Sequence, residues 1–209
     1  RITDRELVGD IKHVWELNRH LHLVRLAQAW RVTGNAEWLA VLRTQVSSWL
    51  EQCPPMTGPN WTSSLEMGIR LINWSLVWQL AGGADGPLFA GESWQALRRA
   101  WLDSIYAHCQ SVARHLSRHS SANNHLIGEL AGLYVAAATW PCWAQSKRWR
   151  EQAARELEHQ ITDSGAEAII VLENFAHTVQ KVMGKTPLRH VVVANMGELL
   201  GGAKGMLVN

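Results

Sequence analysis

The chain has 209 residues, a formal net charge of +2 and 18% charged side chains. That length holds one domain with a full core, or one domain and a fragment, and the near-neutral balance removes any global electrostatic case for nucleic acid or an anionic membrane surface. No run of about 18 apolar residues offers a transmembrane segment, and three scattered cysteines, Cys53, Cys109 and Cys142, form neither a disulfide framework nor a metal-ligand pattern.

Apolar residues recur at helical spacing through Val14, Leu17, Leu21, Val24, Leu26 and Trp30, which predicts a first helix ending at Thr33-Gly34-Asn35. A second runs from Ala36 to Gln52 and stops at Pro54-Pro55, and a third runs from about Ser63 to Leu80 before Gly82-Gly83. A fourth spans roughly Glu92 to Leu116, a fifth Asn124 to Thr139 before Pro141, and a sixth Trp143 to Ile161. Helices of this length joined by short Gly/Pro-bearing turns predict stacked antiparallel hairpins, so the fold class is mainly α. The last 45 or so residues differ. β-rich runs at Ala168–Leu172 and His190–Val193 flank a helix-like stretch from Ala176 to Met183, a strand–helix–strand pattern.

Composition shifts at the same place. All twelve tryptophans lie between Trp15 and Trp149, and lysine displaces arginine as the main cation after Arg155. Trp30, Trp38, Trp49, Trp78 and Trp101 fall on apolar faces and are expected in the core. Trp61, beside Asn60 and after Gly58-Pro59 at the start of a helix, is the candidate for a ring that stacks on a ligand. Asn18 and His20, on a strongly apolar helix, are read either as buried hydrogen-bonding groups or as ligand contacts.

The stretch Ser120-Ser-Ala-Asn-Asn-His-Leu-Ile-Gly-Glu129 carries the densest chemistry, with two amides, an imidazole and a carboxylate at the mouth of an apolar helix. Asn123 and Asn124 are placed to cap that helix, and His125 and Glu129 stand one turn apart on one face. Upstream lie Trp15-Glu16-Leu17-Asn18-Arg19-His20 and Asn60-Trp61-Thr62-Ser63-Ser64-Leu65-Glu66, followed by Arg70 and Asn73-Trp74. Glu66 and Arg70, at i,i+4, are spaced either to pair with each other or to leave Arg70 for a substrate carboxylate.

Together these segments, over about residues 1–160, resemble the N-terminal helical domain of the heparinase II/III-like and alginate lyases. The resemblance implies an incomplete α/α toroid and β-elimination on a uronic-acid polymer, with Asn124 and His125 as catalytic groups facing the uronate carboxylate. Asn60, Trp61, Arg70 and Glu129 are the substrate-binding candidates, Glu129 as a hydrogen-bonding partner that orients His125. The implied partner is an acidic polysaccharide, the implied location periplasmic or secreted, and neither cofactor nor metal is needed. Because the chain starts at Arg1, any secretory signal lies upstream. In the family a catalytic tyrosine follows a few dozen residues beyond the Asn-His motif. Here the tyrosines are Tyr106 and Tyr134, both before that place, and the family's C-terminal β-sandwich has no counterpart in these residues.

From Arg155 the strings Glu156-Leu-Glu-His-Gln160, Asp163-Ser-Gly-Ala-Glu-Ala-Ile169, Leu172-Glu-Asn-Phe-Ala176, Asn195-Met-Gly-Glu-Leu-Leu-Gly201 and Lys204-Gly-Met-Leu-Val-Asn209 resemble the N-terminal part of long-chain fatty acyl-CoA ligases. The Ser/Thr/Gly-rich phosphate loop of adenylate-forming enzymes is missing, and Gly201-Gly-Ala-Lys-Gly205 lacks its hydroxyls and spacing. The expected organisation is a truncated lyase-like domain over 1–160 joined to a ligase-like fragment over 161–209, a chimeric chain without lyase turnover. The alternatives are a non-catalytic helical module that binds acidic polysaccharide, and a fragment of a fatty acyl-CoA ligase. An unfinished toroid is also expected to expose the apolar faces around Leu130, Leu133, Trp140 and Trp143.

Overall fold

A computed structural model describes residues 9–119, 124–172, 176, 179, 180 and 183–194. Among the described residues the helices are α1 (Ile11–Asn18), α2 (Leu21–Thr33), α3 (Ala36–Gln52), α4 (Ser64–Leu80), α5 (Gln95–Arg114), α6 (Asn124–Thr139) and α7 (Ser146–Ser164). Two strands follow, β1 (Ala168–Leu172) and β2 (His190–Ala194). The starts of α3 and α4 are written locally. Asn35 accepts from the Glu37 N–H, and Ser63 accepts from the Glu66 N–H as the N-cap of α4.

The first expected helix is in fact two. His20 sits in the left-handed region at φ 65°, between α1 and α2, and the carbonyls of Asn18 and Arg19 accept from the Arg70 and Asn73 side chains instead of continuing a helical ladder. Tertiary donors on α4 therefore stabilise a break that apolar periodicity alone does not mark.

Helices α2, α4 and α6 pack side by side in one layer, and α3, α5 and α7 cover them in a second. The α4–α6 contact is close because glycines form it. A Cβ on Gly132 would stand 2.4 Å from the Gly68 carbonyl oxygen, and one on Gly68 would stand 3.0 Å from that of Gly128. Leu65 lies against Gly128 and Gly68 against Gly132, so α4 and α6 run in the same direction with their N-termini at one end. Helix α5 returns antiparallel, since the Ser64 hydroxyl donates to the His115 carbonyl at 2.7 Å.

Tryptophans knit the two layers. Trp49, Trp74, Trp101, Trp78 and Trp140 form an edge-to-face chain with successive centroids 5.4, 5.9, 5.9 and 5.7 Å apart. Trp30 is partly buried against this core, but Trp38, on the outer face of α3, is 37% exposed and is not a core residue. The expected exposure of the last hairpin is also overturned. Leu130, Leu133 and Trp140 are buried and Trp143 is half-buried, because α7 packs along α6 and covers them.

After Gly165 ends α7 in the left-handed region, β1 and β2 pair in parallel, Ala168 opposite His190 through Leu172 opposite Ala194. Val179 and Leu188 are buried while Ile170 and Val192 face out. Half of the expected Ala176–Met183 helix, and the strings from Asn195 onward, lie outside the described residues. Among the described residues no helix is long and apolar enough to cross a membrane.

Candidate functional site

One end of the helical layers gathers the motif residues. Trp15 Nε1 donates to the Pro59 carbonyl at 2.9 Å, which fixes α1 beside the turn that carries Asn60 and Trp61. The start of α4, the end of α5 and the start of α6 meet at the same end, through the Ser64–His115 bond and through Ser117, whose N–H and hydroxyl both donate to Glu129, at 2.8 and 2.7 Å.

Asn124 and His125 form the exposed first turn of α6, at the positive end of its dipole. Ser120 to Asn123, including the expected cap Asn123, lie outside the described residues. Glu129 is one turn on but faces inward, 1% exposed, with both carboxylate oxygens held by Ser117. Its observed work is tethering the segment after α5.

The other candidates are buried. Trp61 is 6% exposed, its indole N–H donates to the Cys53 carbonyl at 3.2 Å, and its ring lies 4.1 Å from that of His108. It presents no open face for a sugar, so the stacking role expected of it does not fit this geometry.

Arg70 is fully buried. Its Nε donates to the Asn18 carbonyl at 2.7 Å, its Nη1 to the Asn60 carbonyl at 3.3 Å and to His108 Nε2 at 2.9 Å, and its guanidinium stands 4.8 Å from the Trp49 ring. Burial pulls its pKa down to about 10, which leaves it a cation at neutral pH. The expected Glu66 partner is taken: Glu66 receives a bidentate pair from Arg19, Nε–Oε2 at 2.8 Å and Nη2–Oε1 at 2.9 Å. That pairing raises the Arg19 pKa.

Two buried histidines complete the network. His108 Nδ1 donates to the Ser104 carbonyl at 2.7 Å, so its Nε2 is the acceptor for Arg70. His20 Nδ1 accepts from Trp74 Nε1 at 2.8 Å. Burial, with the Arg70 charge next, holds both histidines well below the ordinary imidazole range, so both are neutral. Asn18 is half-buried and hydrogen-bonded, donating to the Val14 carbonyl and accepting from Trp49 Nε1 at 2.7 Å. The sequence reading passed over His108. Its signal was positional, since it shares one helical face with Trp101, Ile105 and Val112.

Tyr134 is 5% exposed, and Tyr106 is half-buried between Trp143 and Trp149, with centroids at 5.5 and 5.3 Å. Among the described residues no group of three or more His, Cys, Asp or Glu side chains is placed to hold a metal ion.

Two parallel-running glycine-seamed helices, covered by antiparallel partners and carrying polar groups at one end, define a helical toroid unit. Residues 5–170 match the heparinase II/III N-terminus family model, and the chain belongs to that family. Heparan sulfate lyase HepC from Pedobacter heparinus superposes on 74% of this chain and 23% of its own, with a TM-score of 0.64 and 21% identity. A heparin-sulfate lyase of Bacteroides stercoris is 23% identical over 184 residues, 77% of this chain and 26% of that protein. A separate likeness covers 55 residues, 60% identical to a long-chain-fatty-acid–CoA ligase of Yersinia pestis, 26% of this chain and 10% of that enzyme. The chain thus spans about a quarter or less of each relative's length.

Proposed function

We propose that the helical part of the chain is the substrate-facing unit of a polysaccharide lyase that acts by β-elimination on a uronate-containing polymer. In that reaction a base takes the C5 proton, its electron pair forms the C4=C5 double bond, and the C4–O glycosidic bond breaks as the leaving oxygen is protonated. Negative charge accumulates on the C5 carboxylate, and donors aimed there lower the barrier. Asn124 and His125 are the groups assigned to that carboxylate. The observation that carries the assignment is their joint exposure in the first turn of α6, beside the gathered helix ends, while the neighbouring Glu129 is already satisfied.

The elimination also needs an acid for the leaving oxygen. Tyr134 is buried and Tyr106 is packed half-buried between Trp143 and Trp149, which supports binding without turnover for these 209 residues. Incubation with heparan-type polymers or alginate, followed by the ultraviolet absorbance of the unsaturated uronate, tests this directly. The expected result is no rise in absorbance, together with retained binding that falls in Asn124→Ala and His125→Ala. Turnover that disappears in either variant would replace the binding reading with an active enzyme, and equal binding by both variants would remove the site assignment.

Residues 161–209 are read as an acyl-CoA ligase-like fragment joined to the lyase-like helices near the end of α7. A Lys-C peptide spanning Arg148 to Lys181, recovered by mass spectrometry from the source cells, tests whether the join exists as protein.

A further inference from the structure

Between α5 and α7, in the covering layer, lies a cavity of about 270 Å³. Gln110 and Arg114 reach it from the end of α5, and Gln145, Arg148 and Gln152 from the start of α7 and the residue before it. No carboxylate lines it. The acids on the same stretch of α7 are engaged elsewhere, Glu151 with Lys147 and Glu156 with Arg118. Among the described residues neither Arg114 nor Arg148 forms an ion pair, and both are exposed. The half-buried Gln110 keeps its amide open to solvent, and Gln145 is exposed. Gln152 Nε2 donates to the Ala113 carbonyl at 3.1 Å, which together with the Arg118–Glu156 pair ties α7 to the end of α5 and so fixes the spacing of the two cations.

Two guanidiniums that open on one cavity repel each other, and nothing in its wall offsets that repulsion. Arginine presents a planar fork of donors suited to phosphate and carboxylate oxygens, and the glutamine amides add N–H donors beside it. A phosphate monoester brings a charge of about −1.5 to −2 at neutral pH and three strong acceptor oxygens. It balances both arginines at once, whereas a carboxylate or a sulfate ester carries a single charge and leaves one of them uncompensated. The cavity is also smaller than the roughly 300–1,000 Å³ of pockets for larger organic ligands, which suits an ionic head group. We propose that the α5–α7 cavity binds a phosphoryl dianion, free or as a monoester, with Arg114 and Arg148 clamping it from two helices and Gln110 and Gln145 donating to its remaining oxygens. The site does not rest on the polysaccharide reading: it is built by α5 and α7, Asn124 and His125 stand on α6, and its ligand class is different.

The test is calorimetric titration of the full chain at pH 7.5 and low ionic strength, where screening is weakest, with inorganic phosphate, D-glucose 6-phosphate, D-glucose 6-sulfate and D-glucuronate. The variants are Arg114→Gln and Arg148→Gln, which each remove one cation from an exposed position; Gln145→Glu, which puts a carboxylate into the wall; and Arg31→Gln, an exposed arginine on α2 that controls for net charge. The expected result is saturable binding of a phosphate ligand, at least about tenfold tighter than the sulfate ester or glucuronate, and weakened about tenfold or more in Arg114→Gln, Arg148→Gln and Gln145→Glu but not in Arg31→Gln. Glucose 6-phosphate binding more tightly than inorganic phosphate supports the site as one for a monoester, and the reverse order supports it as one for the free ion. The sulfate ester or glucuronate binding as tightly as the phosphates would overturn the dianion class. No saturable phosphate binding, equal binding in the three cavity variants, or equal weakening in Arg31→Gln would overturn the site and leave two solvated arginines.

Discussion

Two buried neutral histidines make stability depend on pH in a calculable way. His20 and His108 are 4% and 0% exposed, and burial followed by the Arg70 charge holds both well below the usual imidazole value near 6.5. In the unfolded chain both take up protons as the pH falls through about 6.5. The folded protein refuses them, because a proton on His108 would destroy its acceptor for Arg70 and one on His20 Nδ1 would destroy its acceptor for Trp74. The unfolded state then binds more protons, so the stability present above about 6.5 is lost as pH falls toward the folded values. Each histidine contributes a slope of about 1.4 kcal/mol per pH unit, and the two together about 2.7. One unit below the imidazole range thus removes about a fifth to a half of a typical stability of about 5–15 kcal/mol. Urea unfolding followed by tryptophan fluorescence at pH 7.5, 6.5 and 5.5, in wild type, His108→Gln and His20→Asn, measures it. Each variant should lose about half of the slope. Unfolding free energy that stays flat over this range, or a slope unchanged in both variants, refutes the assignment of neutral buried imidazoles.

Gly132→Ala should lower stability by about 1–3 kcal/mol or more, since its Cβ would meet Gly68 backbone atoms at 2.4 to 2.7 Å, and a thermal melt beside Gly184→Ala, where no atom lies within 4 Å, checks it. Glu129→Ala should cost about 1.5–3 kcal/mol by stranding the Ser117 N–H and hydroxyl, with Glu129→Gln less affected, read by chemical denaturation. Arg19→Ala should destabilise by about 3–5 kcal/mol through the uncompensated Glu66 carboxylate, 4% exposed, and Arg19→Ala with Glu66→Gln should recover part of the loss.

Much of the fold follows from local chemistry. The bounds of α3 and α4 are set by Asn35, Ser63, Pro54 and Gly82, and their positions agree with the sequence reading because caps and breakers act through neighbouring backbone groups. The parallel strands are legible for the same reason, as β-branched runs at Ala168–Leu172 and His190–Val193. The split at His20 was not legible, because its cause is distant: Arg70, Asn73 and Trp74 supply the partners that make a left-handed residue tolerable there.

The same division holds at the site. Sequence by itself determined the helices and the family resemblance, and placed an Asn-His pair at the start of an apolar helix, since each depends on residue type and spacing along one chain. Tertiary structure alone decided which polar groups face solvent. Trp61, Arg70 and Glu129 carry the same side chains as open binding groups would, yet they are buried at 6%, 0% and 1%. What buries them is the meeting of α1, α4, α5 and α6 at one end, and the i,i+4 spacing that suggested Glu66 with Arg70 lost to a bidentate Arg19 from 47 residues away. Side-chain direction on a helix is local, but the partner that a charge finds is set by how the helices pack.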